Sequence, residues 1–251
     1  MSKLVRFQYN SMVCHGLMEG DRIWRISGTF YESWEKQGDP LSLSDVKLLP
    51  PCQPSKIVAV GLNYRDHAVE LNMDIPGEPI LFIKPGTTVC GPGDYIKYPP
   101  LSEQIDYEAE LGVVIQRTTK DIDPSEAVEY ILGYTCVNDI TARDLQKRDG
   151  QWTRAKSFDT FCPIGPCIET DLDPSNCRVE CFLNGDVKQS SSTANQIFSP
   201  FFLVSFISRV MTLLPGDVIA TGTPPGVGPM KIGDEVEVAV GGIGRLKNYV
   251  I

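Results

Sequence analysis

A strand-dominated, mixed α/β fold is predicted by three features of this sequence. Short runs of alternating apolar and polar residues recur along the chain. Turn dipeptides such as Asn184-Gly185 and Gly241-Gly242 follow several of them, and only a few segments carry helix signals. The 251 residues can bury a sizeable core, and they fit one large domain or a main domain with a small N-terminal appendage.

Residues 3–31 alternate around Gly16, Gly20 and Gly28 and predict small antiparallel strands, and Leu41 to Pro54 reads as a proline-punctuated connection. We therefore divide the chain into a small N-terminal domain with its linker, 1–54, and a larger domain, 55–251. The larger unit opens with the apolar run Ile57 to Val60, a strand that ends in Gly61-Leu62-Asn63-Tyr64-Arg65-Asp66-His67. A short helix through Ala68, Val69 and Glu70, broken by Pro76-Gly77, makes 66–78 a candidate mobile cover over a strand-end site.

Residues 107–117 read as a strand entering the core. Asp123-Pro124-Ser125-Glu126 predicts a capped helix that runs to about residue 131. A strand through Tyr134, Cys136 and Val137 then delivers Asn138-Asp139 to its end. Ser199-Pro200 starts an amphipathic helix with Leu203, Ile207 and Val210 on one face, and Pro215-Gly216-Asp217 stops that region. Val179 to Leu183 and Glu235 to Val240 read as hairpin arms. No internal repeat or coiled-coil stretch is present.

Lys and Arg number 23 against 32 Asp and Glu, a net charge of −9 with no basic tract, which argues against nonspecific nucleic-acid binding. The acid excess fits a solvated surface, with carboxylates around a cation as the alternative. Arg6, Asn10, Glu19 and Asp21 interrupt the first apolar stretch, so neither a secretory segment nor a membrane span is expected, and a cytoplasmic location is the default. Eight cysteines in a chain of this size fit reduced thiols, and none of their spacings forms the paired knuckles of a zinc site.

Glu108 and Glu110 stand two apart, so on a strand both project from one face. Like charges on a partly buried strand cost stability unless a cation compensates them, and Asp139, from another strand end, is a chemically useful third ligand. Three carboxylates with waters suit a hard cation such as Mg2+ or Mn2+, and an exposed acidic pair is the alternative. Only two histidines occur, and His67 lies beside the polar cluster while His15 falls in the appendage. Glu70 follows His67 by three residues, so a helical turn makes the two a base and its orienter, or else a surface salt bridge.

Lys84 and Lys156 sit beside turns, where lysines usually decorate surfaces. A lysine that reaches the cation site would balance a substrate carboxylate or a developing oxyanion, and Arg143 can grip a carboxylate in bidentate fashion. The loop Thr221-Gly222-Thr223-Pro224-Pro225-Gly226-Val227-Gly228 lacks the lysine of a phosphate-binding loop. Its amides and hydroxyls, Thr223 included, either hold a carboxylate or build a structural turn. No nucleophile elbow, dinucleotide fingerprint or cysteine–histidine unit is present.

Taken in order, Gly61 to His67, Asp106-Tyr107-Glu108-Ala109-Glu110-Leu111, Asn138-Asp139-Ile140-Thr141-Ala142-Arg143-Asp144-Leu145-Gln146, Lys156-Ser157-Phe158-Asp159 and Thr221-Gly222-Thr223-Pro224 make the chain resemble the fumarylacetoacetate hydrolase family. The likeness spans most of 56–250 and extends to short bacterial members that are acylpyruvate hydrolases, oxaloacetate decarboxylases or hydroxyheptadienedioate isomerases. It implies a mixed β-sandwich rolled around the active site, a small N-terminal β-rich region and a homodimer. It also implies one Mg2+ or Mn2+ per subunit on Glu108, Glu110 and Asp139, with Lys156 near the substrate, and catalytic roles for His67 and Glu70 on a segment that orders with substrate. Arg143, Gln146 and Thr223 are the substrate-binding candidates. Two departures from the pattern stand out: Thr141 where relatives often carry serine, and Pro225 where alanine is frequent.

The function expected from these features is cleavage of an acylpyruvate-like 2,4-dioxo acid through a cation-stabilised enolate, with His67 activating water. Oxaloacetate decarboxylation and isomerisation of an unsaturated hydroxy dicarboxylate use the same electron sink. A noncatalytic module that binds oxo acids with its cation is the reading from another class.

Overall fold

The computed structural model describes residues 2–251. Its principal element is a twelve-stranded mixed sheet. Along it run Lys36–Ser42, Arg22–Ile26, Met12–Glu19, Lys3–Tyr9, Cys162–Glu169, Ile131–Asn138, Ala109–Ile115, Val218–Ala220, Lys56–Val60 and Leu81–Pro85, with Lys47–Leu49 and Val89–Cys90 pairing off this path. A five-stranded sheet, Asp186–Ser192, Arg178–Leu183, Glu235–Val240, Gly244–Val250 and Tyr95–Ile96, packs over its centre. A three-stranded sheet joins Thr141–Ala142, Ile105–Tyr107 and Gly228–Met230. The strand-dominated, mixed α/β expectation holds.

Central and peripheral strands differ as their sequences predict. Every residue of Ala109–Ile115 is buried, because that strand is covered on both faces, whereas Glu235–Val240 alternates buried and half-buried positions. Asn10 and Ser11, both at positive φ, close the first hairpin, and Asn184 and Gly185 close another, the geometry that tight two-residue turns require. Lys3–Tyr9 pairs with Cys162–Glu169, so the main sheet runs across the boundary we place at residue 54.

Among the described residues there are four α-helices: α1 (Arg65–Glu70), α2 (Arg143–Asp149), α3 (Thr153–Lys156) and α4 (Pro200–Val210). α4 begins as its sequence dictates, with proline in its first turn and the Ser199 hydroxyl accepting the Phe202 N–H. Leu203 and Ile207 enter the core, but Val210 is exposed, because the buried stripe through Leu203, Val204, Ile207 and Ser208 stops short of the last helical residue. Buried Asp217 accepts from the Ser55 and Lys56 amides, the Ser55 hydroxyl and the Leu214 amide, and pairs with Lys56 Nζ at 2.5 Å. It thereby fastens the start of the Lys56–Val60 strand to the turn beyond α4.

Three local expectations are corrected. The segment after Asp123 forms only a 3-10 turn, Ala127–Tyr130. Its capping contact exists, with Asp123 N–H donating to Glu126 Oε2, but the chain enters the strand Ile131–Asn138 before an α-helix can develop. The 41–54 connection contains the short strand Lys47–Leu49, paired with Lys3–Tyr9. The 107–117 strand is broken at Glu108, between Ile105–Tyr107 and Ala109–Ile115, which lie in different sheets. Among the described residues no helix is long and apolar enough to cross a membrane.

Candidate active site

Four neighbouring strands of the main sheet present site residues at one end, and a fifth supplies Lys84 from within its length. Ile131–Asn138 and Ala109–Ile115 are antiparallel with Ala109 opposite Asn138, so Asn138-Asp139 emerges beside Glu108 and Glu110. Val218–Ala220 runs parallel to Lys56–Val60, and the two deliver Thr221-Gly222-Thr223 and Gly61-Leu62-Asn63 to the same end. Leu81–Pro85 pairs with the latter strand.

The break at Glu108 does not disperse the acidic residues. Glu108 N–H donates to Asn138 Oδ1 at 3.0 Å, and Asp139 N–H donates to Glu108 O at 2.9 Å, so the two chain segments are locked together. Glu108, Glu110 and Asp139 are all buried, and one carboxylate oxygen from each lies within 4.8 Å of the others.

Three cations pair with Glu108 and Asp139. Lys156 Nζ bridges Glu108 Oε2 at 2.9 Å and Asp139 Oδ2 at 2.5 Å. Lys84, fully buried, pairs with Asp139 and also donates to Ile140 O. Arg143 Nη2 meets Glu108 Oε1 at 2.5 Å, while its Nε holds Asp106 Oδ2 at 2.7 Å and its Nη1 holds Gln146 Oε1 at 2.6 Å. The Thr141 hydroxyl donates to Glu108 Oε1 at 3.0 Å, a bond that a serine hydroxyl also makes, so this departure from the family pattern preserves the contact.

The electrostatic consequences differ between the carboxylates. Burial pushes the Glu108 carboxyl up, but Lys156 and Arg143 outweigh it and hold the group down at about 2. Burial, followed by the charges of Asp139 and Glu108, pushes Glu110 well above the usual carboxylate range. Among the described residues Glu110 has no ion-pair partner; Gly222 N–H donates to its Oε2 at 2.8 Å. Burial favours neutral Lys156, yet Asp139 and Glu108 override it and keep the ammonium protonated. A buried, all-oxygen set in which one carboxylate lacks a cation can hold a metal ion.

His67 and Glu70 meet as their spacing predicts. On α1, Nδ1 of the imidazole lies 2.8 Å from Glu70 Oε2, and the Gly226 amide donates to Glu70 Oε1 at 3.0 Å. Gly226 is at φ +95°, and a side chain there would run into Lys188 O, so glycine is what lets this amide approach. The Thr221 to Gly228 loop is itself pinned. Gln189 accepts from Ala109 N–H and donates to Thr223 Oγ1 and Pro224 O, while the Thr223 hydroxyl donates to Ala109 O. That hydroxyl therefore has a structural use, although Thr223 also borders the cavity.

A cavity of about 580 Å3 unites these parts: His67, Glu70, Glu108, Arg143, Gln146, Lys156 and Thr223 all line it. Glu110 and Asp139 lie deeper, at 1 % exposure each. Sequence reasoning left Lys84 among surface lysines and missed Asp106, Gln189, Phe82 and Trp152. Asp106 carried a signal, being two residues before Glu108. Gln189, Phe82 and Trp152 come from remote elements and carried none.

Known proteins share this sequence and fold. Residues 56–251 match the family described as Fumarylacetoacetate (FAA) hydrolase C-terminal, and residues 2–51 match Rv2993c-like, N-terminal. An uncharacterised protein of Methanocaldococcus jannaschii is 56 % identical, covering 86 % of this chain and 89 % of its own length. The mitochondrial oxaloacetate tautomerase Fahd2a of Rattus norvegicus is 41 % identical over 81 % of this chain and 69 % of its own. The crystal structure of 2-hydroxyhepta-2,4-diene-1,7-dioate isomerase from Mycobacterium marinum superposes with a TM-score of 0.94 at 42 % identity, covering 100 % of this chain and 98 % of that one. With a match over most of its length and relatives of this similarity, the chain belongs to the fumarylacetoacetate hydrolase family of enzymes.

Proposed function

We propose that this protein is a divalent-cation-dependent enzyme that interconverts the keto and enol forms of a small 2-oxo acid, with oxaloacetate the first substrate to test. The observation that carries this reading is the His67–Glu70 pair on the wall of the cavity that Glu108, Arg143 and Lys156 also line. Enolisation needs a base for the proton on the carbon beside the carbonyl, and positive charge near the oxygen where negative charge develops.

Glu70 engages His67 Nδ1 and, as its acceptor, leaves Nε2 as the basic nitrogen for proton exchange with substrate. The Gly226 amide holds Glu70 and so fixes the orientation of the ring. Lys156, at the cavity floor, supplies a permanent ammonium for the carboxylate or oxyanion of the oxo acid. The Gln146 amide nitrogen, without a protein partner among the described residues, is a donor for the substrate carboxylate, with Arg143 bonded to the same side chain and Thr223 on the lining of the same cavity. Mg2+ or Mn2+, one per subunit on Glu108, Glu110 and Asp139, would supply further positive charge to stabilise the enolate oxygen. The names of the rat and Mycobacterium marinum relatives, a tautomerase and an isomerase, support a reaction without bond cleavage. We also carry forward a homodimer, which sedimentation would test.

Acylpyruvate cleavage is the second reading, favoured by the size of the cavity, which leaves space for a water and a longer chain beside the dyad. Product analysis of the wild-type enzyme separates the reactions. Tautomerisation changes the enol absorbance of oxaloacetate with no loss of carbon, decarboxylation releases carbon dioxide, and acylpyruvate cleavage releases pyruvate and a second acid. Cleavage of acylpyruvate with no acceleration of keto–enol exchange would reverse the order of the two readings.

A further inference from the structure

One wall of the cavity has no part in the chemistry described so far. Gly61, Leu62, Ile80, Phe82 and Trp152 form it, and none of them is ionisable. Phe82 and Trp152 meet edge to face, with ring centroids 5.3 Å apart and planes at 75°. The indole lies directly against Gly61, where a β-carbon would come within 2.9 Å of two ring atoms, so glycine at this strand end makes room for it. The wall also begins at the carboxylate cluster. Lys156 Nζ, while bonded to Glu108 and Asp139, stands 4.9 Å from the centre of the Phe82 ring.

We infer that this wall is an apolar subsite for a substituent carried on C3 of the 2-oxo acid, so that aryl- and alkyl-substituted pyruvates are ligands alongside short dicarboxylates. The inference rests on the proposed placement of the oxo-acid end among Lys156, Gln146 and the carboxylates. Three observations favour it. With its charged end there, a ligand meets Phe82 next. The cavity, at about 580 Å3, falls in the ~300–1,000 Å3 range that accommodates drug-sized ligands and exceeds the needs of a four-carbon acid. Among the cations that line it, Arg143 and Lys156 are already paired with carboxylates, and Lys147 is exposed. A second carboxylate therefore has only exposed Lys147 as an unpaired cation, whereas a ring finds a wall that carries the two aromatic side chains of Phe82 and Trp152.

The test compares pyruvate with phenylpyruvate as ligands of the Mg2+-saturated protein by calorimetry. Phenylpyruvate is expected to bind about 10- to 100-fold more tightly, the range for burial of one aromatic side chain. Trp152→Ala should bring that ratio close to one with pyruvate affinity unchanged, and Trp152→Phe should keep part of it. If Trp152→Ala also loses pyruvate affinity, Trp152→Phe and Phe82→Leu decide by the same ratio. Equal affinities in the wild type, or a preference that survives these substitutions, would overturn the subsite. Absence of oxaloacetate keto–enol exchange with the preference intact would instead remove the proposed reaction and leave the subsite standing.

Discussion

The carboxylate cluster and helix α1 face the same cavity but are built in opposite ways. Glu108, Glu110 and Asp139 sit between interior strands, and amides, a hydroxyl and three cations fix their oxygens. His67 and Glu70 ride on a six-residue helix that is marginal on its own. Its root is secure. Buried Asn63 donates to Phe198 O and Thr221 O and accepts from Phe198 N–H, Arg65 reaches Gln196 O, and Asp66 accepts from the Ser191 hydroxyl. Beyond it the segment is loosely held: Glu70 is fixed by Gly226, while Val69, Leu71, Met73 and Ile75 are exposed. The electrostatic half of the site is thus preorganised, and the acid–base half borders a segment whose apolar side chains are exposed.

This contrast is broken most severely by disturbing the cluster. Lys84→Met leaves Asp139 with one fewer buried countercharge and should destabilise the fold by about 3–5 kcal/mol, measured by urea unfolding. A loss below about 1 kcal/mol would show that the pair is not structural. Asp139→Asn and Glu108→Gln should each weaken Mg2+ or Mn2+ binding at least by the ~10–100-fold that follows loss of even an outer-shell partner. Unchanged calorimetric affinity in both folded variants would remove the ligand assignment.

Hydrogen exchange sharpens the comparison at the other region. Amides of 69–77 should exchange much faster than those of Ala109–Ile115 and Ile131–Asn138, and slow when an oxo acid and cation are added. Equal protection in both regions would contradict the contrast. The smallest effect concerns the thiols. Burial pushes Cys52 and Cys167 up to about 12 from the ordinary 9.0, so folding favours their neutral forms. Their contribution to stability is complete below pH 9 and is lost as pH rises toward 12. Alkylation near pH 8 followed by mass spectrometry should therefore label half-buried Cys14 well before either.

The sequence made the site more legible than its surroundings. Side-chain alternation located the strands, and period-two spacing placed Glu108 and Glu110 together even though a strand break intervenes, because the Asn138 and Asp139 contacts restore the convergence. The i,i+3 spacing found the His67–Glu70 pair. Lys84 could not be told from a surface lysine, since its burial depends on the fold bringing Asp139 and Ile140 to its ammonium. The turn over 127–130 looked like a helix because capping residues announce a start without setting a length. Trp152 and Phe82 stayed silent because only the fold brings them to one wall.

The central claim is that His67, oriented by Glu70, moves the proton in a reaction whose charge the cluster holds. The most direct measurement is keto–enol exchange of oxaloacetate, with acylpyruvate and carbon dioxide products followed in parallel, for wild type, His67→Ala and Glu70→Gln at equal cation occupancy. The account predicts a loss of about 100-fold for His67→Ala and a smaller loss for Glu70→Gln, with cation affinity preserved in both. Near-wild-type exchange by a folded, cation-loaded His67→Ala enzyme would contradict it.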